Sequence, residues 1–449
     1  MNSKTPICDF VKKYAEQNYV RLHMPAHKGR CFLGYENRDI TEIDGADSLY
    51  DANGIIAESE HNASVLFGSA ATLYSAEGSS LSIRAMLYLT RLKTANKGRK
   101  TVIAATRNAH KVFALTAALL DIDVLWLTDE RENSSLCNCL ITPKGLNETL
   151  KKLPTPPDAV FITSPDYLGN IADIKGLSEV AHKYGSLLIV DNAHGAYLKF
   201  VDGKLHPIDC GADMCCDSAH KTLPCLTGGG YLHISKTAPE YLKTHAKEAL
   251  GMFGSTSPSY LILQSLDNVN GLLFDGYADK ILKAAHAVTK LKQTLKNYGW
   301  ALLENDEPLK ITVDANANGY DGRELANILI KSKIMPEYYD RDYVVLMISS
   351  ENNASDLTAL KSVFKKTPLK EKINRRIFKL KPESLMTMQQ ALISPAETVN
   401  VKNSLNRILA CPTVSCPPAV PVLFSGEVIT REAIEMFEYY GITEVKVVK

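Results

Sequence analysis

A lysine lies among hydroxyl and imidazole groups in the segment 213–231, DMCCDSAHKTLPCLTGGGY. Lys221 stands between His220 and Thr222, and Ser218 lies just upstream. Short apolar runs on both sides predict a strand, an active loop and a second strand. A desolvated lysine amine can lose its proton and attack a carbonyl carbon to form a Schiff base. The alternative is an ordinary lysine of a surface loop.

A carboxylate and a histidine follow the most apolar run of the chain, SLLIVD at 186–191. Asp191 ends that run, and His194 comes shortly after it. A functional carboxylate is one interpretation; a magnesium ligand or a helix cap are the others. The chain contains no G-x-x-x-x-G-K-[ST] motif, which argues against a P-loop NTPase. One strand–loop–strand excursion separates Asp191 from Lys221 and can bring both to one cleft.

Two further groups of polar residues occur where helices are predicted to begin. Ser79 and Ser80 follow Gly78, and free N–H groups, the helix dipole and hydroxyls there would bind an anion. A plain helix cap is the alternative. His110, in RNAHK, directly follows the apolar run TVIAAT, so its ring could lie against a flat cofactor. The alternative for His110 is a helix-start residue without a role.

Together these groups match the requirements of pyridoxal phosphate. Lys221 would form the Schiff base, while Asp191 would keep the pyridine nitrogen protonated so that the ring accepts electrons. The hydroxyls near the helix start, together with Ser218 and His220, would hold the phosphate. The sequence therefore predicts a site for this cofactor.

The elements that must position these residues alternate regularly. Helices are predicted at 79–95, 110–120, 145–153 and 176–185, and apolar strands at 101–106, 124–128, 159–164 and 186–191. Continuous apolar strands between helices indicate a mostly parallel sheet buried on both faces. The predicted fold class is α/β, with ligands at the carboxyl ends of the strands.

Three regions are predicted along the chain. Residues 1–55 form an N-terminal arm, a helix within 1–20 followed by an irregular, acidic stretch that would be buried by lying across a partner subunit. Residues 56–290 form the large cofactor-binding domain, and residues 291–449 a smaller α+β domain. A long helical stretch over 265–300 would link the two domains.

Composition narrows the class of protein. The net charge of +1 argues against general attraction to nucleic acid or to an anionic membrane. No apolar run approaches 18 residues, so we expect no transmembrane helix. The ten cysteines form no paired C-x-x-C motifs with clustered histidines, so we expect no metal site and free thiols. The N-terminus lacks a signal-peptide core, which favours a cytoplasmic location.

These motifs resemble those of the Orn/Lys/Arg decarboxylases. The resemblance rests on SAHKTLPCLTGGGYLH, DNAHGA, RNAHK, HMPAHKG, DITEIDGADSLY, STSPSYLIL and CPPAVPVLFSGEVIT. It covers nearly the whole chain and is closest to the short members of the family. It implies the aspartate-aminotransferase fold, fold type I, and pyridoxal 5'-phosphate as cofactor. It further implies a homodimer or an assembly of dimers, in which both subunits contribute to each site.

The resemblance also implies a role for each site residue. Lys221 would be the Schiff-base lysine, Asp191 the partner of the pyridine nitrogen and His194 a residue near the reacting face. His110 would stack on the ring. The phosphate would be held by Ser79, Ser80, Ser218 and His220.

Three positions depart from the family pattern. Glu77 precedes the glycine of the phosphate loop, where asparagine is usual, and its charge would repel a phosphate unless it points away or pairs with a cation. Asp166 stands where threonine is commoner, and Ala26 replaces a glycine of the arm. These departures bear on the phosphate contacts and the substrate.

The expected activity is decarboxylation of lysine, ornithine or arginine to the corresponding amine, a reaction of polyamine biosynthesis. Glu42, Asp44 and Asp47 are candidates for binding the distal cation of the substrate, and turn-forming acids are the alternative interpretation. The rival activities are those of another fold-type-I enzyme, an aminotransferase or a lyase. A catalytically silent binding protein is a further alternative.

Overall fold

The computed structural model describes residues 3–95, 97–129, 135–378, 380–412 and 419–449. The last motif of the resemblance starts at residue 416, so its first three residues lie outside this set. The chain divides into two compact units, one of residues 1–96 and 174–280 and one of residues 97–173 and 281–449. The three-region division expected from the sequence stays a prediction.

Seven strands form the large sheet. They are β1 (Ala71–Ser75), β2 (Val102–Thr106), β3 (Asp123–Leu127), β4 (Ala159–Thr163), β5 (Leu187–Asp191), β6 (Met214–Asp217) and β7 (Gly230–Ile234). Their order is β1-β7-β6-β5-β4-β2-β3. β7 is antiparallel to β1 and β6, whereas β2 is parallel to both β3 and β4, and β5 is parallel to β6. The mostly parallel α/β sheet predicted from the apolar runs is therefore confirmed.

Fifteen helices of at least one turn accompany the strands in the described part of the chain. In the first unit they are α1 (Pro6–Glu16), α2 (Ile55–Phe67), α3 (Gly78–Leu92), α6 (Ile174–Lys183), α7 (Ala219–Thr222), α8 (Glu240–Thr244), α9 (Ala246–Gly251) and α10 (Tyr260–Phe274). In the second they are α4 (Lys111–Leu119), α5 (Pro143–Lys151), α12 (Gly322–Lys331), α13 (Ala354–Lys366), α14 (Met388–Ile393) and α15 (Arg431–Tyr439). Helix α11 (Tyr277–Asn297) crosses the boundary between the units.

Two small antiparallel sheets lie in the second unit. One contains β8 (Lys310–Asp314), β9 (Tyr338–Tyr339) and β10 (Tyr343–Met347), and the other β11 (Ala396–Asn400), β12 (Leu409–Cys411) and β13 (Glu444–Val448). The last sheet and α15 share a buried core that includes Leu409, Leu423, Phe437 and Val447. The predicted smaller α+β part at the C-terminus is present as these sheets and helices.

Two local predictions need correction. The helical stretch expected over 265–300 is two helices, α10 and α11, because Gly276 between them adopts a left-handed conformation with φ 89°. The loop expected around Lys221 contains one helical turn, α7, closed by a hydrogen bond from the Leu223 N–H to the Ala219 carbonyl at 2.8 Å. Among the described residues, no helix combines the length and the apolar character needed to cross a membrane.

Candidate active site

The carboxyl ends of β1, β5 and β6 and the amino end of β7 lie at one end of the sheet in the first unit. β5 ends at Asp191 and β6 at Asp217, and these two strands are parallel. β7 begins at Gly230 beside both the end of β6 and the end of β1 at Ser75. Most of the predicted site residues follow these strand ends directly, so the topology brings their segments together.

Lys221 and His194 are in direct contact. The Nζ atom of Lys221 lies 3.1 Å from Nε2 of His194. An ammonium group can only donate hydrogen bonds, so His194 Nε2 is the acceptor when Lys221 is charged. A lysine paired with a neutral imidazole has a nearby group with which it can exchange a proton. Such a contact suits an amine that must both lose and regain a proton.

Asp191 is buried at the end of β5, with 3% of its surface exposed. Burial raises the pKa of its carboxyl, and the charge of Lys221 opposes that rise. One carboxylate oxygen, Oδ1, accepts the Ala193 N–H at 3.2 Å and the thiol of Cys216 at 3.6 Å. A buried carboxylate of this kind stabilises a nearby cationic group strongly, because little water screens the interaction.

A polar cradle lies between the start of α3 and the Lys221 segment. The hydroxyls of Ser79 and Ser218 are hydrogen-bonded at 2.8 Å. Gly78 has φ 65°, a left-handed conformation that favours glycine at this turn. The N-terminus of α3, a helix of 15 residues, adds the positive end of its dipole, although the Gly78 N–H already donates to the Gly228 carbonyl at 2.6 Å. The two hydroxyls, both of predicted phosphate residues, could hold an anion at this helix start.

The orientation of His220 is set by the backbone of the following strand. Its Nδ1 lies 2.9 Å from the Gly229 carbonyl, which can only accept a hydrogen bond, so Nδ1 carries a proton. Nε2 can then donate to a phosphate only when the ring is an imidazolium. The adjacent Thr222 hydroxyl is buried and has no hydrogen-bond partner among the described residues. A buried hydroxyl with an unused hydrogen bond fits a site built for a polar ligand.

His110 belongs to the second unit, at the start of α4. Its Nδ1 accepts the Val112 N–H at 3.2 Å, so a neutral ring carries its proton on Nε2. The stacking role expected for His110 and the phosphate contact expected for Ser80 stay predictions.

Arg107, in the same motif as His110, has a structural role that sequence reasoning missed. Its guanidinium makes two hydrogen bonds to Glu427, at 2.7 and 3.0 Å. It also lies over the rings of Trp126 and Phe424, 5.2 and 4.9 Å from their centroids. Glu427 is 1% exposed, whereas the Arg107 side chain is 22% exposed, so this is a partly buried ion pair within the second unit.

Comparison with known proteins decides the family. Residues 5–315 match the family model described as Orn/Lys/Arg decarboxylase, major domain, and residues 371–446 the one described as Orn/Lys/Arg decarboxylase, C-terminal domain. The chain belongs to the Orn/Lys/Arg decarboxylase family. The predicted resemblance is confirmed, and the protein is a pyridoxal-phosphate-dependent amino acid decarboxylase of fold type I.

Individual relatives agree with this assignment. An arginine decarboxylase of Bacillus subtilis (strain 168) is 28% identical over 464 residues, which cover 96% of this chain and 92% of the relative. Lysine decarboxylase A from Pseudomonas aeruginosa shares the fold with a TM-score of 0.82 at 17% identity, over 99% of this chain and 80% of that one. The constitutive lysine decarboxylase of E. coli gives a TM-score of 0.79 at 17% identity, over 99% of this chain and 82% of that one.

The residues of this Orn/Lys/Arg decarboxylase fit its cofactor. The anion site at the start of α3 suits a phosphate, and the amine of Lys221 lies in the same unit as the buried carboxylate of Asp191. Gly230 allows the segments around the two hydroxyls to pack closely, since a Cβ there would lie 2.9 Å from the Asp217 carbonyl oxygen and 2.9 Å from the Gly78 carbonyl carbon. The backbone of the cradle is therefore packed too closely for any side chain at that position.

Two departures from the family pattern are explained locally. One Glu77 oxygen accepts the Ser255 N–H at 2.8 Å, so a backbone donor occupies that carboxylate. Asp166 accepts hydrogen bonds from Leu168 N, Asn170 N and Asn170 Nδ2 at 2.6 to 3.0 Å. These bonds stabilise the loop of residues 166–170. Burial raises the pKa of Asp166 to about 6.

The acidic segment of the arm gives a mixed result. Asp47 accepts hydrogen bonds from the backbone N–H groups of residues 48, 53, 54, 56 and 57. It therefore organises the start of α2, which favours the structural alternative for this residue. Glu42 and Asp44 are exposed and stay candidates for substrate recognition.

Proposed function

We propose that this decarboxylase removes the α-carboxylate of arginine, or of lysine or ornithine, and releases the corresponding amine. The observation that carries the proposal is the 3.1 Å contact between Lys221 Nζ and His194 Nε2, next to the strand end that bears Asp191. Arginine is the first substrate to test because relatives at 24 to 28% identity over at least 94% of this chain bear the name arginine decarboxylase.

The proposed roles follow from the chemistry of each side chain. Lys221 would hold the cofactor through its amine, and Ser79, Ser80, Ser218 and His220 would hold its phosphate. Asp191 would carry the negative charge beside the pyridine nitrogen, and His110 would cover the ring. Bound pyridoxal phosphate supplies an aldehyde for the substrate amine and a ring that accepts the electron pair left by departing carbon dioxide.

Proton movement would be the task of the lysine and its histidine partner. After the bond between the α-carbon and the carboxylate breaks, the α-carbon needs one proton to become the amine product. Lys221 Nζ and His194 Nε2 are the two candidate donors, and their contact lets one reload the other. The substrate's distal cation would be held by an acid, for which Glu42 and Asp44 are the candidates.

We also propose that the protein works as a homodimer or an assembly of dimers. In the N-terminal arm, large apolar side chains that are more than half exposed cluster within 19–35: Tyr19, Val20, Leu22, Met24, Phe32, Leu33 and Tyr35. Such a concentration of exposed apolar surface marks an interaction site, and a second copy of the chain would cover it. Sedimentation of the wild-type protein and of a Leu22→Asp, Leu33→Asp double variant tests this arrangement. A wild-type protein that sediments as a monomer would contradict it.

The variant Lys221→Ala tests the site directly. We expect loss of the visible absorbance of the bound cofactor, near about 420 nm, and of carbon dioxide release. Lys236→Ala, which removes an exposed lysine after β7, is the matched control and should keep both. Wild-type absorbance in Lys221→Ala would refute the assignment of Lys221.

A further inference from the structure

A second buried carboxylate, Asp217, lies one residue before Ser218 and four before Lys221. Asp217 ends β6 and is fully buried. Its Oδ2 accepts hydrogen bonds from Nε2 of His206 at 3.1 Å and Nε2 of His233 at 3.0 Å, and its Oδ1 accepts Nδ2 of Asn192 at 2.6 Å. Both histidines are also fully buried. Asp217 thus has three side-chain donors, and none of them belongs to the proposed catalytic set.

The surroundings fix the proton positions in this cluster. His206 Nδ1 accepts the Ile208 N–H at 3.4 Å, so a neutral His206 carries its proton on Nε2, which faces Asp217. His233 Nδ1 is hydrogen-bonded to the Thr72 hydroxyl at 2.8 Å. Burial alone would raise the pKa of Asp217, but the two facing histidines outweigh it and hold that pKa well below its ordinary range. Asp217 is therefore an anion with fixed donors.

Successive residues of β6 hold successive residues at the end of β5. Cys216 donates its thiol to Asp191, and Asp217 accepts from Asn192, the next residue of that strand end. The backbone adds a hydrogen bond from Asn192 N to the Cys216 carbonyl at 3.0 Å. The chain then passes from Asp217 through Ser218 to Lys221, whose N–H donates to the Ser218 carbonyl at 3.0 Å.

We propose that Asp217 is a positioning residue of the decarboxylase site. Anchored by His206 and His233, it fixes the segment that bears Lys221 against the strand end that bears Asp191. The inference rests on the roles proposed above for Lys221 and Asp191. It assigns to Asp217 no contact with substrate or cofactor.

A metal ion is the competing explanation of the cluster. With Cys215, the ligand atoms of these side chains lie within 4.8 Å of one another, so the group could hold an ion. A metal on His206 Nε2, however, would leave the ring proton on Nδ1, where the Ile208 N–H already points. The hydrogen-bond pattern therefore favours an anchored carboxylate.

The decisive variants are Asp217→Asn and the exchange Asn192→Asp, Asp217→Asn. With its oxygen toward the two histidines, a single asparagine faces Asn192 Nδ2 with a second donor, so the present hydrogen bond is lost. The Asn192 amide restores a bond only by turning over, which moves its Nδ2 to the position of the buried Oδ1 atom. In the exchange, the new amide at 217 can donate to the new carboxylate at 192 and still accept from both rings. Asp213→Asn is the control, because Asp213 begins the same strand region and also pairs with a histidine, His182, at 2.8 Å.

Two readouts are needed. We expect Asp217→Asn to lower kcat per bound cofactor about 10- to 100-fold, as a misplacement of catalytic groups does, with KM changed much less. The exchange should recover most of that loss, and Asp213→Asn should keep the wild-type kcat. In the cofactor-free protein, amide hydrogen exchange should quicken at 191–195 and 217–222 in Asp217→Asn and return toward wild type in the exchange variant.

Several results would overturn the proposal. The first is an Asp217→Asn protein with lower thermal stability but wild-type kcat. The second is an exchange variant whose kcat is no higher than that of Asp217→Asn. The third is a stoichiometric metal ion that the wild-type protein contains and Asp217→Asn lacks. If Asp217→Asn does not fold, Asn192→Ala removes the link to β5 while leaving Asp217 its histidines, and an unchanged kcat there refutes the link. If the wild-type protein proves inactive, the proposed function fails, but hydrogen exchange still decides the role of Asp217.

Discussion

Gly230 provides a quantitative test of how the cofactor cradle is built. This glycine begins β7, where a Cβ would lie 2.9 Å from the Asp217 carbonyl oxygen, 2.9 Å from the Gly78 carbonyl carbon and 3.1 Å from the Gly78 Cα. All three neighbours are backbone atoms, so no side chain can rotate away to make room. In Gly230→Ala, the end of β6 and the start of α3 must therefore move apart.

The expected cost follows from overpacking of a tightly fitted interior. Forced shifts of this kind destabilise a protein by about 1–3 kcal/mol. The movement would also stretch the 2.8 Å contact between Ser79 and Ser218, which form opposite sides of the anion site. We expect cofactor affinity to fall at least about tenfold, equivalent to about 1.4 kcal/mol.

Thermal unfolding of the cofactor-free protein and titration with pyridoxal phosphate measure the two effects separately. Gly251→Ala is the matched control, because Gly251 is the last residue of α9 and its Cβ would make only ordinary contacts, at 3.4 Å or more, with Tyr50. The control should bind cofactor normally. A folded Gly230→Ala protein with wild-type cofactor affinity would show that the cradle does not depend on this close approach.

Other predictions concern stability. Glu427→Gln leaves the partly exposed guanidinium of Arg107 without a charged partner and should lower the free energy of unfolding by about 1–3 kcal/mol, measured by denaturant titration; an unchanged free energy would contradict the ion-pair assignment. Lys333 has φ 63° and is exposed, so Lys333→Gly should raise the free energy of unfolding by up to about 1 kcal/mol, and a loss would contradict this. Burial raises the pKa of Asp267 from 3.8 to about 6, so its contribution to stability is full below the lower value and is lost as pH rises through the higher. Asp267→Asn, which can still bond Ser59, should flatten that part of the stability–pH profile, and an unaltered profile would refute the assignment.

Local sequence patterns predicted most of the strands of the large sheet and the segments that bear the candidate site residues. Apolar runs depend on neighbouring residues, so they predicted four of the seven strands of the large sheet, β2 to β5, to within one residue at each end, while β1 was not predicted. The sequence predicted one cleft for Asp191 and Lys221 and placed His194 near the reacting face only through the family resemblance; the contact of Lys221 with His194 is a finding of the structure. Strand ends are predictable because the topology of an α/β sheet gathers them at one edge.

Contacts between residues that are far apart in the sequence could not be predicted from local patterns. His206 belongs to no motif, and His233 is only the last residue of the SAHKTLPCLTGGGYLH motif; the folded chain brings both to Asp217. Arg107 was part of a recognised motif, but its partner Glu427 lies 320 residues away. One signal was available in the sequence of β6. Because successive side chains of a strand point to opposite faces, Asp217 and Cys216 can be expected on different faces of the sheet.

The measurement that tests the central claim most directly is carbon dioxide release from carboxyl-labelled arginine, lysine and ornithine by the wild-type protein. The same assay should be carried out with Lys221→Ala, and the amine product should be identified in each case. We predict stoichiometric release of carbon dioxide and amine from at least one of the three substrates, and none from the variant. Transfer of the amino group to a 2-oxo acid without carbon dioxide, or equal release by Lys221→Ala, would contradict the account.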